Sequence, residues 1–228
     1  MRLGGLQKLS LIDFPNKLAA VVFTQGCPFR CHFCHNASLV LPEKFSQPLD
    51  EKNFFSFLMS RKGRLDGVVI SGGEPTIQKD IISFIEKIKK LGFSIKLDTS
   101  GVRPDVLEEL LKKDLIDYVA MDIKAPFRKY ETVIGTKVDV KKIQTSINLL
   151  LNSNILFEFR TTLVAHFHDL EDIIDMAKMV KKAPVYILQK FIPTTTLSLF
   201  QNKKAYLEEE VIPYLEKAKK YVKECYYR

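Results

Sequence analysis

Gly67-Val68-Val69-Ile70-Ser71-Gly72-Gly73-Glu74-Pro75 decides the fold. A short apolar, β-branched run stops at small and charged residues, and an amphipathic stretch at about Gln78–Leu91 follows. The first pattern predicts a buried strand bounded by a turn, the second a helix. The same unit recurs along the chain. Strands are predicted at Leu18–Thr24, Gly67–Ile70, Ser94–Asp98, Asp117–Asp122, Ile155–Thr162 and Val185–Gln189. Helices are predicted at about Asp50–Arg61, Gln78–Leu91, Pro104–Lys113, Val140–Asn152, Leu170–Lys182 and Glu208–Cys225. Pro104 suits a first helical turn, Asp169 an N-cap and Gly92 a helix stop. Alternating strands and helices imply a parallel sheet with right-handed crossovers. The polar residues choose between an incomplete barrel and a doubly wound sheet. Gln25, Ser71 to Glu74, Asp98 to Gly101, Asp122 with Lys124, Arg160 with Thr162, and Gln189 fall at or near the C-terminal ends of the strands. A barrel gathers its active site from many strand ends, whereas a doubly wound sheet concentrates it at one switch point. The expected fold is an α/β partial (β/α)6 TIM-like barrel, open on one side, in one domain spanning residues 1–228.

Chemistry enters in the loop after the first predicted strand. Gly26-Cys27-Pro28-Phe29-Arg30-Cys31-His32-Phe33-Cys34-His35-Asn36 sets three thiols in a C-x3-C-x2-C spacing. A disulfide framework would spread its cysteines along the chain, so this cluster points to metal. Soft sulfur ligands suit an iron–sulfur cluster or zinc. Zinc in a structural site takes a fourth ligand, which His32 or His35 would supply. Three ligands on a four-iron cluster leave one iron open to a small molecule. The fourth cysteine, Cys225, is expected to be a half-buried packing residue in the last helix, near Tyr221 and Tyr226.

The cysteine spacing, with Phe33 before the last thiol, resembles the signature of the radical S-adenosylmethionine superfamily. Ser71-Gly72-Gly73-Glu74-Pro75, ending the next strand, resembles that superfamily's Gly-Gly-Glu motif. The resemblance implies a [4Fe–4S] cluster on Cys27, Cys31 and Cys34, with S-adenosyl-L-methionine chelating the open iron. It also implies that Gly72, Gly73 and Glu74 bind the methionine amino group. Asp98 and Ser100 are placed for the ribose hydroxyls or the methionine carboxylate. Met121-Asp122-Ile123-Lys124 resembles an Asp-x-Lys step of glycyl-radical activating enzymes, so Lys124 is expected to pair with the ligand carboxylate. Arg160, flanked by Phe157 and Phe159, should face the barrel mouth and meet an acid or the cofactor, since an unpaired buried charge is expensive. Gln189 and Phe191 are placed to close over the adenine. His32 and His35 are expected to shape the cysteine loop, and His166 and His168 to be solvated loop residues.

The run from Leu11 to Cys27, and Cys34-His35-Asn36 followed by Leu39-Val40, are similar to anaerobic ribonucleoside-triphosphate reductase activating proteins. That likeness covers roughly Leu6 to Pro193. It implies reductive cleavage of S-adenosylmethionine to methionine and a 5′-deoxyadenosyl radical, which removes a hydrogen atom from a glycine of a partner glycyl-radical enzyme. The implied partners are an anaerobic ribonucleotide reductase and a one-electron donor such as flavodoxin or ferredoxin. No second cysteine set follows the first, so one cluster is expected. Lys190-Phe191 stand where formate-lyase activating enzymes often carry a histidine, which favours the reductase branch. Two rivals stay open: a small-molecule radical enzyme such as a 7-carboxy-7-deazaguanine synthase-like one, and a zinc-binding interaction domain.

Composition bounds the remaining possibilities. The 228 residues are 46% hydrophobic and 27% charged, ordinary for a globular chain. No run is long and apolar enough to span a bilayer and the start lacks a secretory pattern, so a cytoplasmic protein is expected. The net charge of +8 gathers in runs such as Lys87-Lys89-Lys90 and Lys217-Lys219-Lys220, read as solvated helix faces. No basic stripe interleaved with aromatics stands out, so nucleic acid is not an expected partner.

Overall fold

The computed structural model describes residues 1–194, 196–197 and 204–228. Eight strands form one sheet: β1 (Leu3–Ser10), β2 (Ala19–Thr24), β3 (Gly67–Gly72), β4 (Ser94–Thr99), β5 (Tyr118–Asp122), β6 (Leu156–Leu163), β7 (Val185–Lys190) and β8 (Glu224–Tyr227). They lie in sequence order, β1 to β8. β1 pairs antiparallel with β2, and every later pair is parallel. The helices are α1 (Ala37–Val40), α2 (Glu51–Ser60), α3 (Ile81–Lys90), α4 (Pro104–Lys112), α5 (Tyr130–Ile134), α6 (Val140–Leu151), α7 (Leu170–Met179) and α8 (Glu208–Ala218). Among the described residues β1 and β8 do not pair with each other, so the sheet is a partial barrel with an open side.

The six expected strands are β2 to β7, displaced by a residue or two at their ends. Two strands were not foreseen. β1 carries Gly4-Gly5, which reads locally as a turn, yet it is held along β2 from Leu3↔Thr24 to Ser10↔Ala19. The chain expected to end in a helix running to Cys225 leaves it at Ala218, and Glu224–Tyr227 becomes β8 along β7. The β-favouring Cys-Tyr-Tyr segment is captured by that edge. Cys225 is fully buried there, not half-buried on a helix. The expected helix at Gln78–Leu91 starts later, at Ile81, after a separate single turn at Pro75–Ile77. Pro104 opens α4, and Asp169 meets Asp172 reciprocally at the start of α7, as the local signals require.

The outer face of the sheet is covered by apolar helix stripes. Ile81, Phe84, Ile85 and Ile88 of α3, and Ile143, Ile147 and Leu150 of α6, recur at helical spacing and are buried. The inner face is divided. On the β2–β3 side Ala19, Val21 and Val69 pack around Phe14, which folds in from the β1–β2 connection. On the β4–β6 side the inner face carries Lys96, Asp98, Tyr118, Asp122, Glu158 and Arg160, paired in register as Lys96↔Tyr118, Ala120↔Glu158 and Asp122↔Arg160. A residue on one strand face shares it with the residues two positions away, so these ionisable groups all point into the lumen.

Candidate active site

Backbone contacts lock the cysteine loop onto its neighbours. Gly73 N–H donates to Thr24 O at 2.9 Å and Glu74 N–H to Gly26 O at 2.8 Å. Arg30 turns its guanidinium back on the loop, giving hydrogen bonds to Cys27 O and Phe29 O at 2.7 and 2.9 Å. Gly72 sits at φ +116°, and a Cβ there would fall 2.3 Å from Thr24 N; one on Gly73 would fall 2.1 Å from Gly26 O. The glycine pair is therefore required by the close approach of the β3 loop to the cysteine loop, and not only by room for a ligand. Gly73→Ala should separate the two loops. We expect a stability loss of about 1–3 kcal/mol, as for overpacking a closed site, together with weakened cofactor binding. An unchanged melting temperature for Gly73→Ala would refute the contact.

The loops enclose a pocket of about 320 Å3. Cys27, Cys31, Cys34, Phe33, Gly72, Gly73, Glu74, Asp98, Ser100, Asp122, Lys124 and Arg160 all line it. Gln189 does not. It lines a second chamber, beside Lys96, Glu158 and Arg160, and so does not join the expected adenine contacts. Burial pushes the Cys27 thiol up to about 12, with help from Glu74, and the Cys31 thiol up to about 11 despite Lys124. Such thiols stay protonated until a metal displaces the proton. Among the described residues no three His, Cys, Asp or Glu side chains converge as ligands of one ion do. A four-iron cube takes each thiolate at a separate corner, which suits three thiols spaced along one loop.

Glu74 is buried, and its carboxylate is fully committed to the protein. Oε1 accepts from Thr76 N, Thr76 Oγ1 and Thr99 Oγ1 at 3.1, 2.5 and 2.7 Å. Oε2 accepts from Ser100 N and Ser100 Oγ at 2.7 and 2.6 Å. Ser100 thus reaches the pocket with its backbone and hydroxyl donors already given to Glu74. The carboxylate ties the end of β3 to the end of β4.

A ladder of alternating charge runs up the lumen. Lys96 Nζ lies 2.5 Å from Asp98, whose other oxygen meets Arg160 at 3.4 Å; Arg160 Nε donates to Asp122 at 2.9 Å, and Lys124 Nζ reaches Asp122 at 2.9 Å. Glu158 Oε1 lies 4.0 Å from Arg160, so the three cations of the ladder are matched by three carboxylates. Burial alone would push Asp122 up, but Arg160 and Lys124 hold it well below the carboxylate range. Burial would lower Lys124, and Asp122 with the Cys31 thiol raises it instead. Lys124 is thus part of the site and not a surface lysine. Lys96, Glu158 and Tyr118 were missed by sequence reasoning, although two-residue alternation puts Lys96 beside Asp98 and Glu158 beside Arg160.

The histidines divide as well. His35 stacks on Phe191 with centroids 5.6 Å apart, and His32 stacks on Phe167 at 5.4 Å, so both shape the loop as expected. Phe191 is therefore engaged with the cysteine loop. His168 is not solvated; it is fully buried. Its Nδ1 accepts from Val164 N at 3.1 Å, which leaves the proton on Nε2 to be donated to Lys124 O at 2.7 Å. Its ring also meets the edge of Phe33 at 6.3 Å. His168 therefore braces both the Lys124 backbone and the cysteine loop. His166 is exposed as expected.

Fold and pocket define a partial barrel whose mouth gathers three loop cysteines into one cavity with the strand-end residues. Residues 21–181 match the model of the Radical SAM superfamily, and the chain belongs to that superfamily, whose enzymes use a [4Fe–4S] cluster and S-adenosylmethionine. It is 42% identical over 195 residues to a protein of Methanocaldococcus jannaschii named as a glycyl-radical enzyme activating enzyme, covering 83% of this chain and 79% of that one. It is 33% identical over 133 residues to the pyruvate formate-lyase-activating enzyme of Clostridium pasteurianum, covering 54% and 52%. Among solved structures, SuiB of Streptococcus suis bound to S-adenosylmethionine superposes with a TM-score of 0.68 at 15% identity. That match covers 91% of this chain and 49% of SuiB, a likeness of fold.

Proposed function

We propose that this chain, acting as one domain, activates a glycyl-radical enzyme, and that the partner is an anaerobic ribonucleoside-triphosphate reductase. The observation that carries the reading is the convergence on one pocket of the cysteine loop, the Gly72-Gly73-Glu74 loop and the Asp98–Arg160–Asp122–Lys124 ladder. When bound, the cluster and S-adenosylmethionine would supply the chemistry: reductive cleavage of the S–C5′ bond by one electron from a donor such as flavodoxin or ferredoxin, and removal of a hydrogen atom from glycine with methionine and 5′-deoxyadenosine as products. Cys27, Cys31 and Cys34 would hold the cluster. The Gly72-Gly73-Glu74 loop would receive the methionine amino group, Lys124 and Arg160 its carboxylate, and Asp98 the ribose. Phe33 lines the pocket wall, and His168 packs against its ring from behind.

The relatives named as activating enzymes support this reading, as does the open side of the barrel, which would admit a protein loop. No described helix is long and apolar enough to cross a membrane. We infer a cytoplasmic setting, where reduced electron carriers are found. The test is anaerobic reconstitution, reduction and mixing with the purified reductase. A glycyl-radical doublet in electron paramagnetic resonance, with release of 5′-deoxyadenosine, is expected. Product formation from a purine or pterin with no protein partner would overturn it.

A further inference from the structure

The loop of residues 164–168, between β6 and α7, touches both halves of the site from behind. On one side Phe167 stacks on His32 and meets Phe33 with centroids 6.1 Å apart. On the other, His168 Nε2–H donates to Lys124 O at 2.7 Å. The described lining of the pocket includes neither Phe167 nor His168. His168 is itself held from outside. Tyr206 Oη–H donates to its carbonyl at 2.5 Å, and Tyr206 O accepts from Tyr227 of β8 at 2.8 Å. A line of hydrogen bonds therefore runs from the edge strand β8 through Tyr206 and His168 to Lys124. Burial pushes the imidazole below the usual histidine range, so it stays neutral, with one acceptor and one donor nitrogen. Lys124 lies two residues past the end of β5, outside the sheet ladder. Its ammonium sits on a flexible four-carbon stem, so its aim depends on where the backbone is held.

We propose that His168 is a positioning residue for S-adenosylmethionine: it fixes the Lys124 backbone against the cysteine loop, so that the Lys124 ammonium meets the cofactor carboxylate. Standing behind the pocket wall, it acts through Lys124 and not on the cofactor. The two ring nitrogens divide the work. Nδ1, bonded to Val164 N–H, holds the histidine in its own loop, and Nε2 carries that position to Lys124. This inference rests on the reading above in which Lys124 receives the carboxylate.

The test measures S-adenosylmethionine affinity of the reconstituted holoprotein by isothermal titration, together with iron and sulfide content and apoprotein melting. Asparagine carries an acceptor where Nδ1 stands and keeps the Val164 bond; glutamine carries an amide N–H where Nε2 stands and keeps the Lys124 bond. His168→Asn should weaken S-adenosylmethionine binding about tenfold, the worth of one hydrogen bond. His168→Gln should bind within about threefold of wild type. Each variant gives up one buried hydrogen bond, so the two apoproteins should melt alike, below wild type, and cluster content should stay at the wild-type level. A residue that only held its own loop would give the reverse order, with the glutamine variant the weaker binder. Equal affinities in the two variants, that reverse order, or loss of the cluster in both would each overturn the proposal. Lys124→Met tests the reading beneath it and should weaken binding at least as much as His168→Asn. If Lys124→Met binds as wild type does, the carboxylate reading fails and this inference falls with it. If it weakens binding while His168→Asn does not, the positioning role alone fails.

Discussion

Cys31→Ala should abolish the iron–sulfur centre and, with it, all cleavage of S-adenosylmethionine. Cys31 is buried in the pocket wall between Phe29 and Phe33, and its neighbours on the same loop are the other two thiols. A cluster is held by thiolates, and the described site offers no substitute sulfur: the remaining cysteine, Cys225, is on β8. The fold itself should survive, because removing one sulfur from a packed site costs about 1 kcal/mol. The expected result is therefore sharp. Iron and sulfide content and the brown absorption fall to background after anaerobic reconstitution, 5′-deoxyadenosine is undetectable, and the apoprotein melts near the wild-type temperature. Cys225→Ser is the control, with cluster content unchanged. Wild-type turnover by Cys31→Ala would end the assignment of the loop as the cluster site.

Arg160→Met carries the second large effect. Arg160 stands between Asp98 and Asp122, and its removal leaves both carboxylates facing each other across the lumen with only Lys96 and Lys124 at the ends. Stripping one partner from a buried ion pair costs about 3–5 kcal/mol. Asp122 keeps 27% of its side chain in water, so a loss of about 3 kcal/mol is expected, at the lower end of that range. Affinity for S-adenosylmethionine should fall with it. The pH dependence provides a separate check. Asp122 is held below its unfolded value, so its pairing stabilises the protein above the ordinary carboxylate range and is lost as pH falls below that range. Melting curves of the apoprotein should converge for wild type and Arg160→Met as the solution is acidified, and separate again toward neutral pH. A constant gap across that range would show that Asp122 is not held down by Arg160.

The two cases show how differently parts of this site can be read. The cysteine triplet was legible because its thiols lie within one loop, where spacing alone limits what they could hold. Asp98, Asp122, Lys124 and Arg160 were legible as strand ends, since strand periodicity places them at one face of a sheet. Their partners were not. That Arg160 bridges two carboxylates follows from the parallel register of β4, β5 and β6, which no local pattern states. Gln189 shows the cost of reading position alone: it ends a strand as expected, yet it faces the second chamber and not the cofactor pocket. His168 shows it again, because burial of a loop histidine depends on Val164 and on Lys124, the latter 44 residues away.

By itself the sequence determined six of the strands, most of their helices, the thiol loop and the residues at the mouth of the barrel. These depend on interactions between near neighbours: alternation along a strand, apolar spacing along a helix, proline and aspartate at helix starts. Only the tertiary structure decided that Gly4-Gly5 belongs to a strand and that Cys225 lies on an edge, because a marginal strand takes its conformation from the one beside it. It also decided that the Gly72-Gly73 pair is demanded by Thr24 and Gly26, and that Glu74 is consumed by Thr76, Thr99 and Ser100. Those contacts join segments far apart in the chain, and they exist only once the sheet has brought its strand ends together.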